Sequence, residues 1–121
     1  MTTTAETGAR GERATAEYLR REGYEICAMN WRQGRYELDI VARKGWTLHF
    51  VEVKTRRSGS LTPPEAALTP HKFRSLHKAA SCYMAYAGQG FEPQFDLAAV
   101  EAMPNGEMRV TLMENAMEYH W

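Results

Sequence analysis

The residues of this sequence best suited to chemistry are two carboxylates and a lysine in neighbouring apolar segments. The segment HFVEVKT holds Glu52 and Lys54, and the segment YELDIVA holds Asp39, thirteen residues before Glu52. Side chains alternate across a β-strand, so Glu52 and Lys54 share one face of the strand that HFVEVKT predicts. Adjacent strands lie about 4.8 Å apart, and Asp39 and Glu52 therefore point into one site if the hairpin register allows it. The same alternation predicts one face with Glu37, Asp39 and Val41 and the opposite face with Leu38, Ile40 and Ala42.

Two converging carboxylates beside a lysine suit a hard divalent cation. Magnesium prefers oxygen ligands and keeps several waters, so Asp39, Glu52 and a backbone carbonyl are enough protein to hold Mg²⁺ or Mn²⁺. Lys54 would offset the repulsion between the carboxylates and could orient or deprotonate a water for attack on phosphorus. Glu12, on the inward stripe of the first predicted helix, could complete the cluster. The plain alternative is an exposed strand edge with a cross-strand ion pair, for which a Glu-Val-Lys triplet alone would be typical.

The pattern around these residues predicts one mixed α/β domain over residues 1–121, in the order helix, three strands, helix, two strands. The first helix covers Thr3 to Gly23, with Thr3 and Glu6 matching a capping box. The strands are predicted over residues 24–31, 36–43, 47–55, 95–102 and 108–113. The second helix has Thr69 as its N-cap, and Pro70 is its first residue. Its predicted buried stripe consists of Phe73, Leu76, Ala80, Tyr83, Met84 and Ala87.

The formal net charge is zero, but its distribution along the chain is uneven. Residues 1–78 carry 14 Lys and Arg against 9 Asp and Glu, a balance of +5, whereas residues 79–121 carry 1 against 6, a balance of −5. This asymmetry predicts a basic face for nucleic acid, and the alternative is a scatter of solvated charges. The cations that we predict to bind phosphates are Arg43, Lys44, Arg56, Arg57 and Lys72. Lys72 is the leading candidate because the start of a helix also favours anions.

The remaining composition narrows the class of protein. Since no apolar run approaches the roughly 18 residues of a membrane span and the N-terminal segment has no hydrophobic stretch, we expect a cytoplasmic protein without a membrane partner. Cys27 and Cys82 are isolated in segments typical of a core, so neither a disulfide nor a zinc site is expected. Trp121, in the C-terminal tail, is predicted to pack on the body of the protein or on a second subunit.

A series of motifs, in a fixed order along nearly the whole chain, resembles the YraN-like family of small bacterial proteins. These motifs are GxxGE at 8–12, Asn30-Trp31, ELDIVA at 37–42, FVEVKTRR at 50–57, Pro64-Glu65-Ala66, Lys72 and FDLAAV at 95–100. The resemblance places the chain in the PD-(D/E)XK nuclease superfamily, together with archaeal-type Holliday junction resolvases. It implies a restriction-endonuclease-like fold, with a mixed sheet of four to five strands flanked by helices.

The resemblance also implies roles for particular residues. Asp39, Glu52 and Lys54 match the nuclease signature, and Glu12 matches the acidic residue of its helix. One position departs from the family, because Tyr36 stands where the family usually has Gly before the Glu of its Glu-hydrophobic-Asp motif. A bulky Tyr there could narrow access to the site or stack on a base.

From residues and resemblance together, the expected function is a metal-dependent phosphodiesterase that acts on DNA, preferentially branched or otherwise structured, in the manner of a Holliday junction resolvase. Its expected cofactor is Mg²⁺ or Mn²⁺. A homodimer would suit the cutting of two strands, although no residue requires one. One alternative is a nucleic-acid-binding or assembly module that keeps the fold without turnover. The other is an interaction protein in which the carboxylates form a buried ion network.

Overall fold

The structure is a computed structural model that describes residues 3–116. Its elements are α1 (Thr4–Arg21), β1 (Glu25–Gln33), β2 (Tyr36–Lys44), β3 (Thr47–Arg57), a 3₁₀ turn (Pro64–Ala67), α2 (Pro70–Ala87), β4 (Glu92–Ala102) and β5 (Met108–Met113). This order confirms the predicted succession of helices and strands. Trp121 lies outside the described residues.

Both predicted helix starts are confirmed by their capping bonds. The side chain of Thr3 accepts a hydrogen bond from the backbone N–H of Glu6, and the side chain of Thr69 accepts one from the backbone N–H of Lys72. Each bond satisfies a backbone donor that has no partner within the first turn of the helix. The two helices therefore begin where their polar N-caps fix them.

The five strands form one mixed sheet in the order β1-β2-β3-β4-β5. The pair β3 and β4 is parallel, and the other three neighbouring pairs are antiparallel. A parallel pair needs a long crossover connection, which the segment containing α2 supplies. A five-stranded mixed sheet with helices against it confirms the expected α/β architecture of the restriction-endonuclease-like fold.

Each helix covers its own apolar cluster on the sheet. The cluster with α1 residues contains Ala16, Leu19, Tyr24, Ile40, Ala42, Val51 and Ala98. The cluster with α2 residues contains Leu38, Val41, Leu48, Phe50, Phe73, Leu76, Ala79, Ala80, Tyr83 and Leu97. The central strands β2, β3 and β4 contribute to both clusters and are therefore buried on both faces, which explains their almost continuous apolar sequences.

The predicted alternation along β2 is wrong at one point. Leu38 packs in the α2 cluster together with Val41, whereas Ile40 and Ala42 pack in the α1 cluster. Strict alternation would have placed Leu38 with Ile40 and Ala42. The regular pleat is therefore interrupted at Asp39, between Leu38 and Ile40.

Three smaller expectations change with the structure. Ala87, the last residue of α2, is exposed, and Met84 is only half-buried. Cys27 is exposed rather than in the core, and neither it nor Cys82 forms a disulfide.

Among the described residues, no helix is long and apolar enough to cross a membrane.

Gly11 brings α1 close to the end of β3. It is buried, and a Cβ atom at this position would overlap the hydroxyl of Thr55. Gly8, one turn earlier on the same helix, has no atom within 4 Å of such a Cβ. The absent side chain at Gly11 therefore sets the distance between α1 and β3, and with it the position of Glu12 in the next place along the helix.

Alanine at these two glycines should have opposite effects on stability. Gly8→Ala should raise the free energy of unfolding by about 0.5–1 kcal/mol, because alanine loses less backbone entropy in a helix. Gly11→Ala should lower it by about 1–3 kcal/mol, because the added methyl overfills a close contact. Urea denaturation of both variants measures the difference, and equal stabilisation by the two alanines would contradict the close approach at Gly11.

Candidate metal and nucleic-acid site

The sheet splits between β2 and β3 at the position of the two carboxylates. The antiparallel ladder runs from the pair Lys44 and Thr47 to the pair Ile40 and Val51, where it ends. Beyond this point β2 continues to pair only with β1, and β3 continues to pair only with β4. Asp39 and Glu52 are the next residues along the two strands. They therefore lie at the mouth of a wedge that opens between the two halves of the sheet.

A hydrogen bond across the split holds Asp39 in place. Its Oδ2 accepts from the backbone N–H of Val53 at 2.9 Å. Burial raises the pKa of Glu52, and the Asp39 carboxyl is close enough to raise it further. Lys72 Nζ lies 3.5 Å from Glu52 Oε2. The Glu52 side chain is only 11% exposed. The structure thus brings together Asp39 and Glu52, as predicted, and adds Lys72 to them.

Burial and the neighbouring carboxylate change the protonation of Glu52. Burial makes the larger contribution and Asp39 the next, and together they raise the pKa of Glu52 to about 8 although Lys72 acts in the opposite direction. A pKa above neutrality means that the pair holds one proton at pH 7. This proton reduces the repulsion between Glu52 and the neighbouring Asp39.

Glu12 faces the same region from α1. It is half-buried, and its pKa is raised by burial and then by the charges of Asp39 and Glu37, while a hydrogen bond from the Asn30 side chain lowers it. Asn30 lies in β1 with a φ of 52°, a backbone conformation that asparagine tolerates better than most residues. Sequence analysis assigned no role to Asn30, although Asn30 belongs to the Asn30-Trp31 motif that supports the family resemblance.

Lys54 does not have the contact that the sequence predicted for it. It is exposed, and within the described part of the chain no ion pair shorter than 4.0 Å includes it. The cation beside Glu52 is instead Lys72, a residue of the first turn of α2. Lys54 lines a cavity next to the carboxylates and is free to contact a substrate there.

The five cations predicted to bind phosphates occupy three different places. Arg56 and Arg57 line the same cavity as Lys54, and Lys72 lies on Glu52. Arg43 and Lys44 are at the other end of β3, where Arg43 stacks over Trp46 and Lys44 donates to the Glu22 carbonyl. The structure therefore does not place Arg43 and Lys44 beside the carboxylates.

A second polar cluster, which sequence analysis missed, lies away from this site. His49 Nδ1 is 2.7 Å from Asp96 Oδ2, and both residues are buried. Asp96 Oδ1 also accepts from Gln94 Nε2 and from the backbone N–H of Asn115. Since both oxygens of Asp96 have protein partners, the cluster acts as a clamp between β3, β4 and the segment after β5. No sequence spacing signals it, because His49 and Asp96 are 47 residues apart.

The donor sets of the two clusters differ in what they could bind. In the described chain, the group of three possible ligands within 4.8 Å of one another is His49, Asp96 and Glu114. Glu12 therefore does not gather with Asp39 and Glu52 into an equally compact set. Asp39 and Glu52 alone offer two adjacent carboxylates in a wedge, which fits a divalent cation that keeps most of its waters. Burial raises the pKa of Glu12, and Glu12 lies near enough to this pair for the charge of Asp39 to raise it further.

The fold and this site define a class of protein: a small α/β protein of the restriction-endonuclease-like fold, with a carboxylate pair where its sheet splits. The model of the uncharacterised protein family UPF0102 matches residues 11–100, and the chain belongs to this family. Membership confirms the resemblance to the YraN-like family.

Individual relatives cover nearly the whole chain. A UPF0102 protein of Symbiobacterium thermophilum is 44% identical over 110 residues, which are 90% of this chain and 93% of the relative. A UPF0102 protein of Geobacter sulfurreducens is 41% identical over 92% of this chain and 88% of its own length. One from Chlorobium chlorochromatii is 37% identical over 98% and 93%.

The raised pKa of Glu52 predicts how the stability of the metal-free protein depends on pH. The folded pKa, about 8, lies above the ordinary value of 4.5, so the folded state binds the proton more tightly than the unfolded state. The stability that this proton contributes is complete below pH about 4.5 and is lost as the pH rises through about 8. Wild type should therefore lose stability relative to Glu52→Gln over this range, by an amount on the order of a few kcal/mol.

The measurement is urea denaturation of both proteins in EDTA at several pH values. Glutamine keeps a donor for Asp39 and cannot ionise, so the difference between the two curves reports the titration of the Asp39 and Glu52 pair. Parallel curves for the two proteins between pH 5 and 9 would contradict the shared proton.

Proposed function

We propose that this protein is a metal-dependent phosphodiesterase that acts on nucleic acid in the cytoplasm, with branched or otherwise structured DNA as its preferred substrate. The observation that carries this proposal is the placement of Asp39 and Glu52 next to each other at the mouth of the wedge in the sheet. Two carboxylates held together at low exposure are costly to keep unless they share a proton or a cation. A divalent cation would replace the shared proton and convert this cost into binding energy.

The ligands of Mg²⁺ or Mn²⁺ in this proposal are Asp39 and Glu52. When bound, the cation would polarise a phosphoryl oxygen and make a water molecule more acidic. The residues of the chain do the remaining work. Asp39 keeps its orientation through the Val53 N–H, and Lys72 favours the ionised form of Glu52 that a ligand must have. Both contacts prepare the pair before substrate arrives.

Lys54 and Glu12 flank the pair from the side of the cavity. Lys54 has an exposed ammonium group with no carboxylate partner in the described chain, so it can orient the attacking water or contact the phosphate. Glu12 lines the same cavity. Its raised pKa allows it to take up or hold a proton nearer neutrality than an exposed glutamate would. Together these groups suit hydrolysis of a phosphodiester.

One observation favours a second candidate function, a nucleic-acid-binding or assembly module without turnover. Glu12 does not join Asp39 and Glu52 in a compact set of three ligands. A site with fewer fixed ligands could hold a cation and a phosphate without the geometry that in-line attack requires. Cleavage assays distinguish the two functions, because both predict binding and only one predicts hydrolysis.

Divalent cations should stabilise the folded protein. A ligand that binds only the folded state raises its stability by about 1.4 kcal/mol at ten times its dissociation constant. We expect millimolar Mg²⁺ or Mn²⁺ at pH 8 to raise the melting temperature of the wild type, and Asp39→Asn to abolish the rise. Glu92→Gln removes an exposed carboxylate near Trp46, at the far end of β3, and should leave the rise intact. A melting temperature that ignores both cations would refute the metal site.

Lys54 should act in the reaction rather than in binding. Lys54→Met keeps the length of the side chain and removes its charge, so cleavage of a four-way DNA junction in Mg²⁺ should fall by about 10² to 10⁴ while most of the binding affinity remains. Lys78→Met, an exposed lysine on α2, should weaken binding without changing the rate at saturation.

Single-turnover kinetics and mobility shifts measure the two quantities, and circular dichroism checks that each variant is folded. Wild-type protein that cleaves neither linear, flapped nor four-way DNA would favour the binding module. A Lys54→Met variant that cuts as fast as wild type would remove the catalytic assignment.

A further inference from the structure

A basic cavity lies where the end of β3 meets the start of α1. Its volume is about 300 Å³, roughly that of ten water molecules in the liquid. Its lining consists of Thr4, Thr7, Gly8, Glu12, Val53, Lys54, Thr55, Arg56 and Arg57. Three cationic residues and one carboxylate thus contribute to the lining, and the cavity has room for a phosphate group together with part of its sugar.

Arg56 is the unusual residue of this lining. Its Nε and Nη1 atoms are buried and have no hydrogen-bond partner in the described part of the chain, and neither has the hydroxyl of Thr55 beside it. Buried N–H groups are almost always paired, because an unpaired one loses its hydrogen bonds to water. A guanidinium group left in this state is suited to a ligand that brings its own acceptor oxygens, as a phosphate does.

Two further basic grooves lie on the protein, and one of them adjoins the cavity. Thr7 and Arg57 also line a groove with Arg10, whose Nη2 donates to the Gly106 carbonyl at 2.7 Å. Next to Lys72, a groove between α2 and the turn from β1 to β2 is lined by Arg35, Tyr36, His71, Arg74, Ser75 and Lys78. A run of cationic grooves suits a polyanionic strand better than a single small anion.

We propose that the Arg56 cavity binds a phosphate of a nucleic-acid strand, one that neighbours the phosphodiester held at Asp39 and Glu52. Residues 52, 54 and 56 follow one another along β3 in steps of about 7 Å, so the chain presents carboxylate, lysine and arginine in series. Arg56 holds the neighbouring phosphate. Lys54, between Glu52 and Arg56 in this series, faces the segment of the strand that joins this phosphate to the one at the carboxylates. This inference rests on the proposed function, since it fixes the register of the same substrate.

The experiment is a scan of single neutral phosphates. A fluorescein-labelled four-way DNA junction is made as a series in which one phosphate at a time near the branch point is a methylphosphonate, and binding is measured in EDTA by fluorescence anisotropy. The branch point fixes the register of the strand on the protein. We expect one position to weaken wild-type binding about tenfold, because it removes a charge-assisted contact, and the other positions to weaken it far less.

Arg56→Gln should weaken binding of the unmodified junction by a similar factor and should be insensitive to the neutral phosphate at that position, because both changes remove the same contact. Arg20→Gln is the matched control. Arg20 is an exposed arginine on α1, the helix that also lines the cavity, and lies about 24 Å along this helix from Thr4. The Arg20→Gln variant should therefore give the same phosphate scan as wild type.

Melting temperatures distinguish phosphate binding by Arg56 from a structural role, which predicts that Arg56→Gln lowers the melting temperature. Since Arg56 has unpaired buried N–H groups, phosphate binding predicts that Arg56→Gln keeps or raises the melting temperature while it lowers affinity. Arg56→Lys should then recover part of the affinity through its charge. The inference is overturned by a scan without a sensitive position, by equal effects of Arg56→Gln and Arg20→Gln, or by a loss of binding that only follows a loss of folding.

The scan contains no divalent cation, so its result is independent of hydrolysis. An Arg56-dependent position in a protein that cuts no substrate would support this inference and remove the hydrolytic function. Cleavage in Mg²⁺ without such a position would do the reverse. Arg56-dependent binding of inorganic phosphate, without binding of the junction, would overturn the assignment to a nucleic-acid strand.

Discussion

The hydrogen bond from the Val53 amide to the Asp39 carboxylate is the interaction on which the candidate site depends. Beyond the pair Ile40 and Val51 the two central strands no longer bond to each other, and the freed amide of Val53 needs an acceptor. Asp39 supplies it at 2.9 Å. The bond fixes a carboxylate at the mouth of the wedge, and Glu52 on the opposite strand then has to share the space with it.

The remaining features follow from two helices that pack on opposite faces of the split sheet. Gly11 lets α1 approach Thr55 closely, which places Glu12 on one side of the carboxylate pair. The other helix, α2, brings Lys72 to Glu52 from the other side. The site is therefore assembled from residues of both faces, and only a gap in the sheet allows them to meet. A continuous ladder between β2 and β3 would keep the two faces apart.

Much of this arrangement could be predicted from the sequence, because local patterns determine it. The alternating apolar residues and the short connection between the two predicted strands fix the hairpin, and the hairpin brings Asp39 near Glu52. The contacts that sequence analysis missed join residues far apart in the chain, such as Lys72 with Glu52 and His49 with Asp96. These depend on how helices and strands pack, and no local spacing encodes them. The interruption of the pleat at Asp39 escaped prediction because strict alternation takes no account of the end of the β2–β3 ladder.

The central claim is that Asp39 and Glu52 hold one proton at neutral pH, in the place of a divalent cation. Isothermal calorimetry of Mn²⁺ binding at pH 7, repeated in buffers with different ionisation enthalpies, counts the protons that leave the protein when the cation binds. The account predicts the release of about one proton by wild type, and loss of this release in Asp39→Asn. Binding of Mn²⁺ without proton release, or no binding at all, would contradict it.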